Sequence, residues 1–331
     1  MISLRKYNTF NIDSHCEQFI QIHDKAELAE IIKSIDQPFY ILGGGSNVLL
    51  SDPISKPIIK NELKGIELIG EDDDHVIVRV ASGENWHEFV QYCIAKEWGG
   101  LENLSLIPGT LGAAPVQNIG AYGVEIKDSV LSVEGYDCLN QEFKSYNNAD
   151  CHFGYRTSIF KYKLKDKFFI SALVLQLDKK HKLKTDYGSI HDELQKMRID
   201  SPNISDVSEA VINIRKSKLP DPNKIGNAGS FFKNCTIPRS QFDEVKKRFP
   251  NIPFYQMDEG EIKIPSGWLI EQAGWKGRRQ GDAACHEKQA LVLVNFGQAT
   301  AKDILSLAGE IKKDVYLMFG IELEYEVNVW V

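Results

Sequence analysis

Backbone amides without side chains around them can converge on phosphate oxygens, and Leu42-Gly43-Gly44-Gly45-Ser46-Asn47, leading into Val48, offers three glycines in a row for this. A plain strand-to-strand turn would read the same, and the spacing is not the G-x-G-x-x-G of a Rossmann site. A second stretch runs Ile107-Pro108-Gly109-Thr110-Leu111-Gly112-Ala113-Ala114-Pro115-Val116-Gln117-Asn118-Ile119-Gly120-Ala121-Tyr122-Gly123. Its small residues let a backbone approach a flat ligand closely, or pack tightly as a core loop. Two such loops in one chain favour one long ligand spanning both.

Gly154-Tyr155-Arg156-Thr157-Ser158 places an arginine among apolar neighbours. It is suited to fork two bonds onto a carboxylate or enolate, or to a structural ion pair. Gly226-Asn227-Ala228-Gly229-Ser230-Phe231-Phe232-Lys233-Asn234 includes Ser230-x-x-Lys233, a weak match to the S-x-x-K of penicillin-binding proteins that Ser3-x-x-Lys6 and Ser158-x-x-Lys161 share. His152 and His286 each follow a cysteine, but adjacent strand residues point to opposite faces, so no metal site is expected. Glu322, Glu324 and Glu326 alternate with bulky residues, which predicts one acidic face on a terminal strand over 323–331.

The elements that must hold these segments follow from periodicity. A helix is expected over 25–35, strands over 38–42, 48–50 and 76–80, a helix over 86–98, strand-like pieces over 129–177 and a helix over 201–219 stopped by Pro220. Later come helices over 239–249 and 266–273, a strand over 290–295, and a long helix opened by Thr300 with Asp303 as a capping pair.

At 331 residues, two or three domains are expected. A hydrophobic share of 43% with 26% charged residues excludes disordered and disulfide-scaffold classes. Lys+Arg 39 against Asp+Glu 46 gives a net charge of −7, the wrong sign for coating nucleic acid or an anionic membrane. Six cysteines without a C-x-x-C predict reduced thiols, and no signal peptide is read at the N-terminus, so the expected location is cytoplasmic. Residues 104–124 carry no charge, but two prolines, four glycines, Gln117 and Asn118 argue for a buried turn-rich segment rather than a membrane helix.

Taken in order, L-G-G-G-S-N, G-E-N-W, I-P-G-x-x-G, Q-N-I-G-A-Y-G-V-E, F-G-Y-R-x-S, K-L-P-D-P, G-N-A-G-S-F-F-K-N and L-E-x-E-V resemble the flavin-dependent UDP-N-acetylenolpyruvoylglucosamine reductases of bacterial peptidoglycan synthesis. The resemblance runs from Tyr7 to Glu326. It implies an α+β chain: an FAD-binding fold of the vanillyl-alcohol-oxidase-like type from two α+β units, 1–67 with 327–331 and 68–203, plus a substrate-binding domain over 204–326. It also implies noncovalent FAD, NADPH as co-substrate, a nucleotide-sugar substrate and a monomer, with no nucleic-acid or membrane partner. An oxidase or a noncatalytic flavin binder of the same fold is the alternative.

By the same resemblance, Arg156 and Glu326 support charge on the carboxyl-bearing fragment and Ser230 donates the proton. FAD should lie across Gly43, Gly44, Gly45, Ser46, Asn47 and Val48, and across Pro108, Gly109, Thr110, Gly112, Gln117, Asn118, Gly120, Ala121 and Gly123. Tyr122, Tyr187, Lys218, Asn234 and Gln289 should contact substrate, with Tyr187 on the loop that one subclass closes over the diphosphate. Cys235 stands where the family usually has proline, and Asn328 where an arginine is usual.

Overall fold

The computed structural model describes residues 1–257 and 260–330, so Val331, at the end of the expected 327–331 segment, lies outside the described residues. The chain forms two compact units, each assembled from separate stretches: residues 17–44 and 56–217 in one, residues 1–16, 45–55 and 218–331 in the other.

In the first of these units, Phe19–Ile22 and Tyr40–Leu42 flank Ile58–Asn61 in a three-stranded parallel sheet. Helix Lys25–Lys33 is one of its connections, and the Asp24 side chain caps it by accepting from Ala26 N–H. A five-stranded antiparallel sheet follows in the order Glu142–Asn147, Val130–Asp137, Phe168–Asp178, His75–Ala81, Ile66–Glu71. Val76, Val78 and Val80 face helix Trp86–Ala95, which buries Trp86, Phe89, Val90 and Cys93 and is capped by Asn85. Ala81, Tyr136 and Phe169 share a core with Ile22, Leu28 and Ile59, so the two sheets pack together. Helices Gly188–Met197 and Ile204–Lys218 close a smaller core of Ile190, Leu194, Ala210, Val211 and Ile214.

Two antiparallel sheets of more than two strands lie in the second unit, beside the antiparallel pair Ile2–Ser3 and His15–Cys16. Gly226–Ser230, Val292–Asn295, Ala283–Cys285 and Arg279–Gln280 form one, and Cys235–Pro238, Glu261–Ile264 and Tyr255–Gln256 the other. Helix Ala301–Phe319 buries Ile304, Leu307, Ala308, Ile311, Val315 and Phe319 on one face. The expected Thr300–Asp303 capping box forms, and the hydrogen bonds from Thr300 hold the Asp303 carboxyl below its ordinary range. Thr300→Ala should cost about 1 kcal/mol of stability. The Asp303 contribution should be present above the ordinary carboxylate value of about 3.9 and be lost as pH falls through its lowered value. Chemical denaturation of both proteins at neutral and acid pH checks this: the gap between them should narrow in acid.

The expected terminal strand is shorter than the alternation implied. Among the described residues of that segment, only Asn328–Trp330 is regular strand, pairing in parallel with Val48–Leu50. Glu324 and Glu326 lie instead on an extended segment joined to residues 231–233 by one bridge, Phe232 to Tyr325, with Lys233 N–H donating to Glu324 O and Glu326 N–H to Phe231 O. Glu322 and Glu324 are exposed and Glu326 is half-buried, so the three acids are not equally solvated. No helix among the described residues is long and apolar enough to cross a membrane. All six cysteines are free thiols, and burial pushes those of Cys151 and Cys285 up to about 12.

Candidate active site

The two glycine-rich loops meet. A Cβ on Gly43 would lie 2.6 Å from Thr110 Oγ1, and one on Gly44 would lie 2.8 Å from Gly109 Cα. A side chain is excluded at Gly44 by the neighbouring backbone and crowded at Gly43 by the Thr110 side chain. Gly112 is similarly closed in, its Cβ position 2.8 Å from Ser82 Cβ. Thr110 Oγ1 is buried and has no hydrogen-bond partner among the described residues, a cost of about 1–3 kcal/mol unless something accepts or donates there. The paired small-residue walls and this hydroxyl fit a flavin dinucleotide. Gly43, Gly44, Pro108, Gly109, Thr110 and Gly112 would hold it in this unit.

Gly120–Ala121 pairs with Val124–Glu125 in a hairpin whose two tip residues, Tyr122 and Gly123, both have left-handed backbones, φ +50 and +80. That turn suits Asn-Gly; tyrosine in its first position is strained by about 1–2 kcal/mol. The strain presents Tyr122 edge-on to Tyr187, ring centroids 5.7 Å apart at 86°. Asn118, also left-handed, holds the loop rather than facing outward. It is fully buried, its Nδ2 donates to Glu125 Oε2 and Gly154 O (both 3.0 Å), and its Oδ1 accepts from Lys127 N–H.

Through Gly154 this staple reaches the arginine turn. Gly154 and Thr157 exchange backbone hydrogen bonds across Tyr155-Arg156, and Ser158 Oγ donates to Val116 O at 2.7 Å. Arg156 is left-handed at φ +53, a further non-glycine residue in that conformation after Asn118 and Tyr122.

Arg215, which the sequence reading missed, completes this group. Its guanidinium interacts electrostatically with the Tyr122 phenol, and its Nε donates to Leu106 O at 3.3 Å. Burial, and next to it the charge of Arg156, pull the guanidinium below its ordinary value, while burial raises the Tyr122 phenol. Two cations and two phenols thus gather at one place, which is chemistry for an anion. The available signal was an arginine four residues after Val211 and next to Ile214, on the shoulder of an apolar helix face.

In the other unit, Gly45 has φ +65 and its Cβ position lies 1.9 Å from Tyr7 O. Asn47 Nδ2 donates to Glu326 O at 3.3 Å, and Asn47 O accepts from Asn328 N–H, which fixes residues 45–48 beside Glu326. Ser230 ends strand Gly226–Ser230 after an irregularity between Asn227 and Ser230; Gly229 is left-handed there, its N–H held by Asn227 Oδ1. Such a bulge re-aims the next side chain. Asn234 Oδ1 accepts from Ser266 N–H, and Gln289 Oε1 lies 3.1 Å from the Gly267 Cβ position. Asn234 and Gln289 therefore lean on the same turn of helix Ser266–Gln272. Cys235 sits beside them, its Sγ 3.1 Å from Ser266 Oγ. Lys218 is the exposed last residue of its helix.

Residues 221–330 match the family model for the UDP-N-acetylenolpyruvoylglucosamine reductase C-terminal domain, and residues 16–139 that for an FAD binding domain. Over 329 residues the chain is 52% identical to the UDP-N-acetylenolpyruvoylglucosamine reductase of Flavobacterium johnsoniae, covering 99% of this chain and 98% of that one. It is 47% identical to the same-named protein of Chromobacterium violaceum, covering 98% and 96%. The crystal structure of UDP-N-acetylenolpyruvylglucosamine reductase (MurB) from Thermus caldophilus shares the fold, with a TM-score of 0.71 at 24% identity over 100% of this chain and 98% of that one. Identity at this level is spread over the whole length instead of being confined to the flavin loops, and the chain belongs to the UDP-N-acetylenolpyruvoylglucosamine reductase family of FAD-carrying oxidoreductases.

Proposed function

We propose that this protein reduces the enolpyruvyl double bond of UDP-N-acetylglucosamine enolpyruvate to give UDP-N-acetylmuramate, with NADPH as donor, in cytoplasmic synthesis of peptidoglycan precursor. The observation that carries the reading is one continuous loop: its Gly109-Thr110 end meets Gly43 and Gly44, and its Tyr122 end meets Arg215 and Tyr187. A flavin-holding wall and an anion-holding cluster are thereby covalently linked. FAD, when bound, supplies the hydride carrier between NADPH and substrate.

The chain's own residues would do the rest. Hydride addition to the far alkene carbon leaves enolate-like charge beside the substrate carboxylate, and the Arg156 guanidinium would stabilise it. Ser230 would give the proton, since so basic a carbon can take one from a hydroxyl. Glu326 would support the same charged fragment from its own segment. Tyr122, Tyr187, Arg215, Lys218, Asn234 and Gln289 would bind the nucleotide. Residues 1–67 with 327–331 and residues 68–203 would serve the flavin, and residues 204–326 the substrate, in a monomer.

The test is NADPH consumption by the yellow protein. It should need the enolpyruvyl nucleotide; steady consumption with oxygen alone would make it an oxidase, and none under either condition would leave a flavin binder. Lys218→Ala should raise the apparent KM for the nucleotide about tenfold or more with an unchanged flavin spectrum, as expected for a lost charged hydrogen bond. An unchanged KM would remove Lys218 from the site.

A further inference from the structure

We propose that His87 is a positioning residue for Arg215, acting through the backbone of Leu106, and that it sets the acid limit of nucleotide binding. The inference rests on the assignment of Arg215 to the nucleotide site.

Leu106 lies two residues before the Pro108-Gly109 flavin loop and has φ +58. A leucine in the left-handed region is disfavoured by about 1–2 kcal/mol, so its neighbours must impose that conformation. They do so on both sides of the residue. Its N–H donates to His87 Nδ1 at 3.0 Å, and its carbonyl accepts from Arg215 Nε at 3.3 Å. Trp86, beside His87, donates from Nε1 to Leu104 O at 2.9 Å, so the first two residues of helix Trp86–Ala95 grip 104–106 together. Helix Ile204–Lys218, which carries Arg215, is hooked to the same elements: Ser208 Oγ is 3.1 Å from Gln91 Nε2 and 2.8 Å from Ser105 Oγ. The Leu106 carbonyl is therefore a fixed acceptor that orients the guanidinium toward Tyr122.

The arrangement requires a neutral imidazole protonated on Nε2, because Nδ1 must accept. Burial, then Lys216 and Arg215 from the facing helix, hold His87 below the ordinary histidine value, while Glu88 on its own helix acts the other way. With a depressed folded value, the clamp is intact above about pH 6.5 and is lost as pH falls through that lower value. Protonated Nδ1–H would then face the Leu106 N–H, donor against donor, and Leu106 would relax and take the acceptor away from Arg215.

The experiment compares His87→Asn, His87→Leu and Arg215→Ala as FAD-loaded proteins, measuring uridine diphosphate binding by calorimetry and nucleotide KM and kcat from about pH 5 to 8. Asparagine places Oδ1 where Nδ1 stood and does not titrate. His87→Leu should weaken diphosphate binding and raise KM about tenfold at neutral pH with kcat nearly unchanged. His87→Asn should bind like the parent at neutral pH and lack the parental weakening in acid. If His87→Leu does not fold, the pH profile of His87→Asn decides alone. An acid weakening kept by His87→Asn, or parental binding by folded His87→Leu while Arg215→Ala is weakened, would overturn the inference. Parental binding by Arg215→Ala would instead overturn the nucleotide site on which it rests.

Discussion

In Ser230→Ala, NADPH should still bleach the flavin absorbance at near the parental rate, while reoxidation by the enolpyruvyl nucleotide slows by at least about 10²–10⁴, the range for a lost general acid. The two half-reactions differ because reduction by NADPH needs no proton at the substrate carbon. Local geometry makes the substitution clean. Asn227 and the left-handed Gly229 shape the irregular strand that ends at Ser230, so removing one hydroxyl leaves the support in place. Ser230→Cys should recover part of the rate, since a thiol is similar in size and the better acid. Stopped-flow absorbance separates the outcomes. Equal slowing of both halves would mean disturbed flavin geometry, and an unaffected second half would move the proton to another donor, with Glu326 next to test.

What the sequence revealed depended on whether a signal was local. Helix Ala301–Phe319 announced itself by its cap and its apolar stripe, and Val48–Leu50 by a short apolar run. The glycines at 43, 44, 109 and 112 could be read as a site because their spacing is unusual within one segment. That Gly44 stands against Gly109 could not be read, because it is a tertiary contact between residues far apart in the chain. Arg215 was hidden for a related reason. Its helix shows the ordinary spacing of Val207, Val211 and Ile214, and only the approach of the hairpin tip makes the neighbouring arginine chemical. The side chain of Asn118, a residue expected at the flavin, is spent on Glu125, Gly154 and Lys127, so it braces the loop and the Arg156 turn, a role that the sequence did not show. The acids at 322–326 show the opposite error. Alternation predicted a strand, but the segment pairs only briefly with residues 231–233, since Phe231 and Phe232 turn into the core with Tyr325 packed on them.

The adjacent glycines of the first loop should fail in different ways when each is replaced by alanine. Gly44→Ala puts a methyl 2.8 Å from Gly109 Cα and 3.2 Å from its carbonyl carbon, with no positive φ to violate. The strain can be relieved by parting the two loops, at about 1–3 kcal/mol. Parting them removes the wall proposed to hold FAD, so the protein should fold but bind flavin roughly 5- to 150-fold more weakly. Gly45→Ala has no such escape. Its methyl would lie 1.9 Å from Tyr7 O in a backbone at φ +65, and residues 45–48 are fixed by the parallel pairing of Val48 with Asn328. The left-handed penalty of about 1–2 kcal/mol adds to an overpacking cost of similar or larger size. Gly45→Ala should therefore lose stability first, with added FAD giving little rescue. Thermal unfolding followed by far-UV circular dichroism, with and without excess FAD, distinguishes the two. Gly44→Ala should approach the parental transition when FAD is supplied. A Gly44→Ala protein that purifies yellow at full occupancy would show that contact between the two loops is not what holds the flavin.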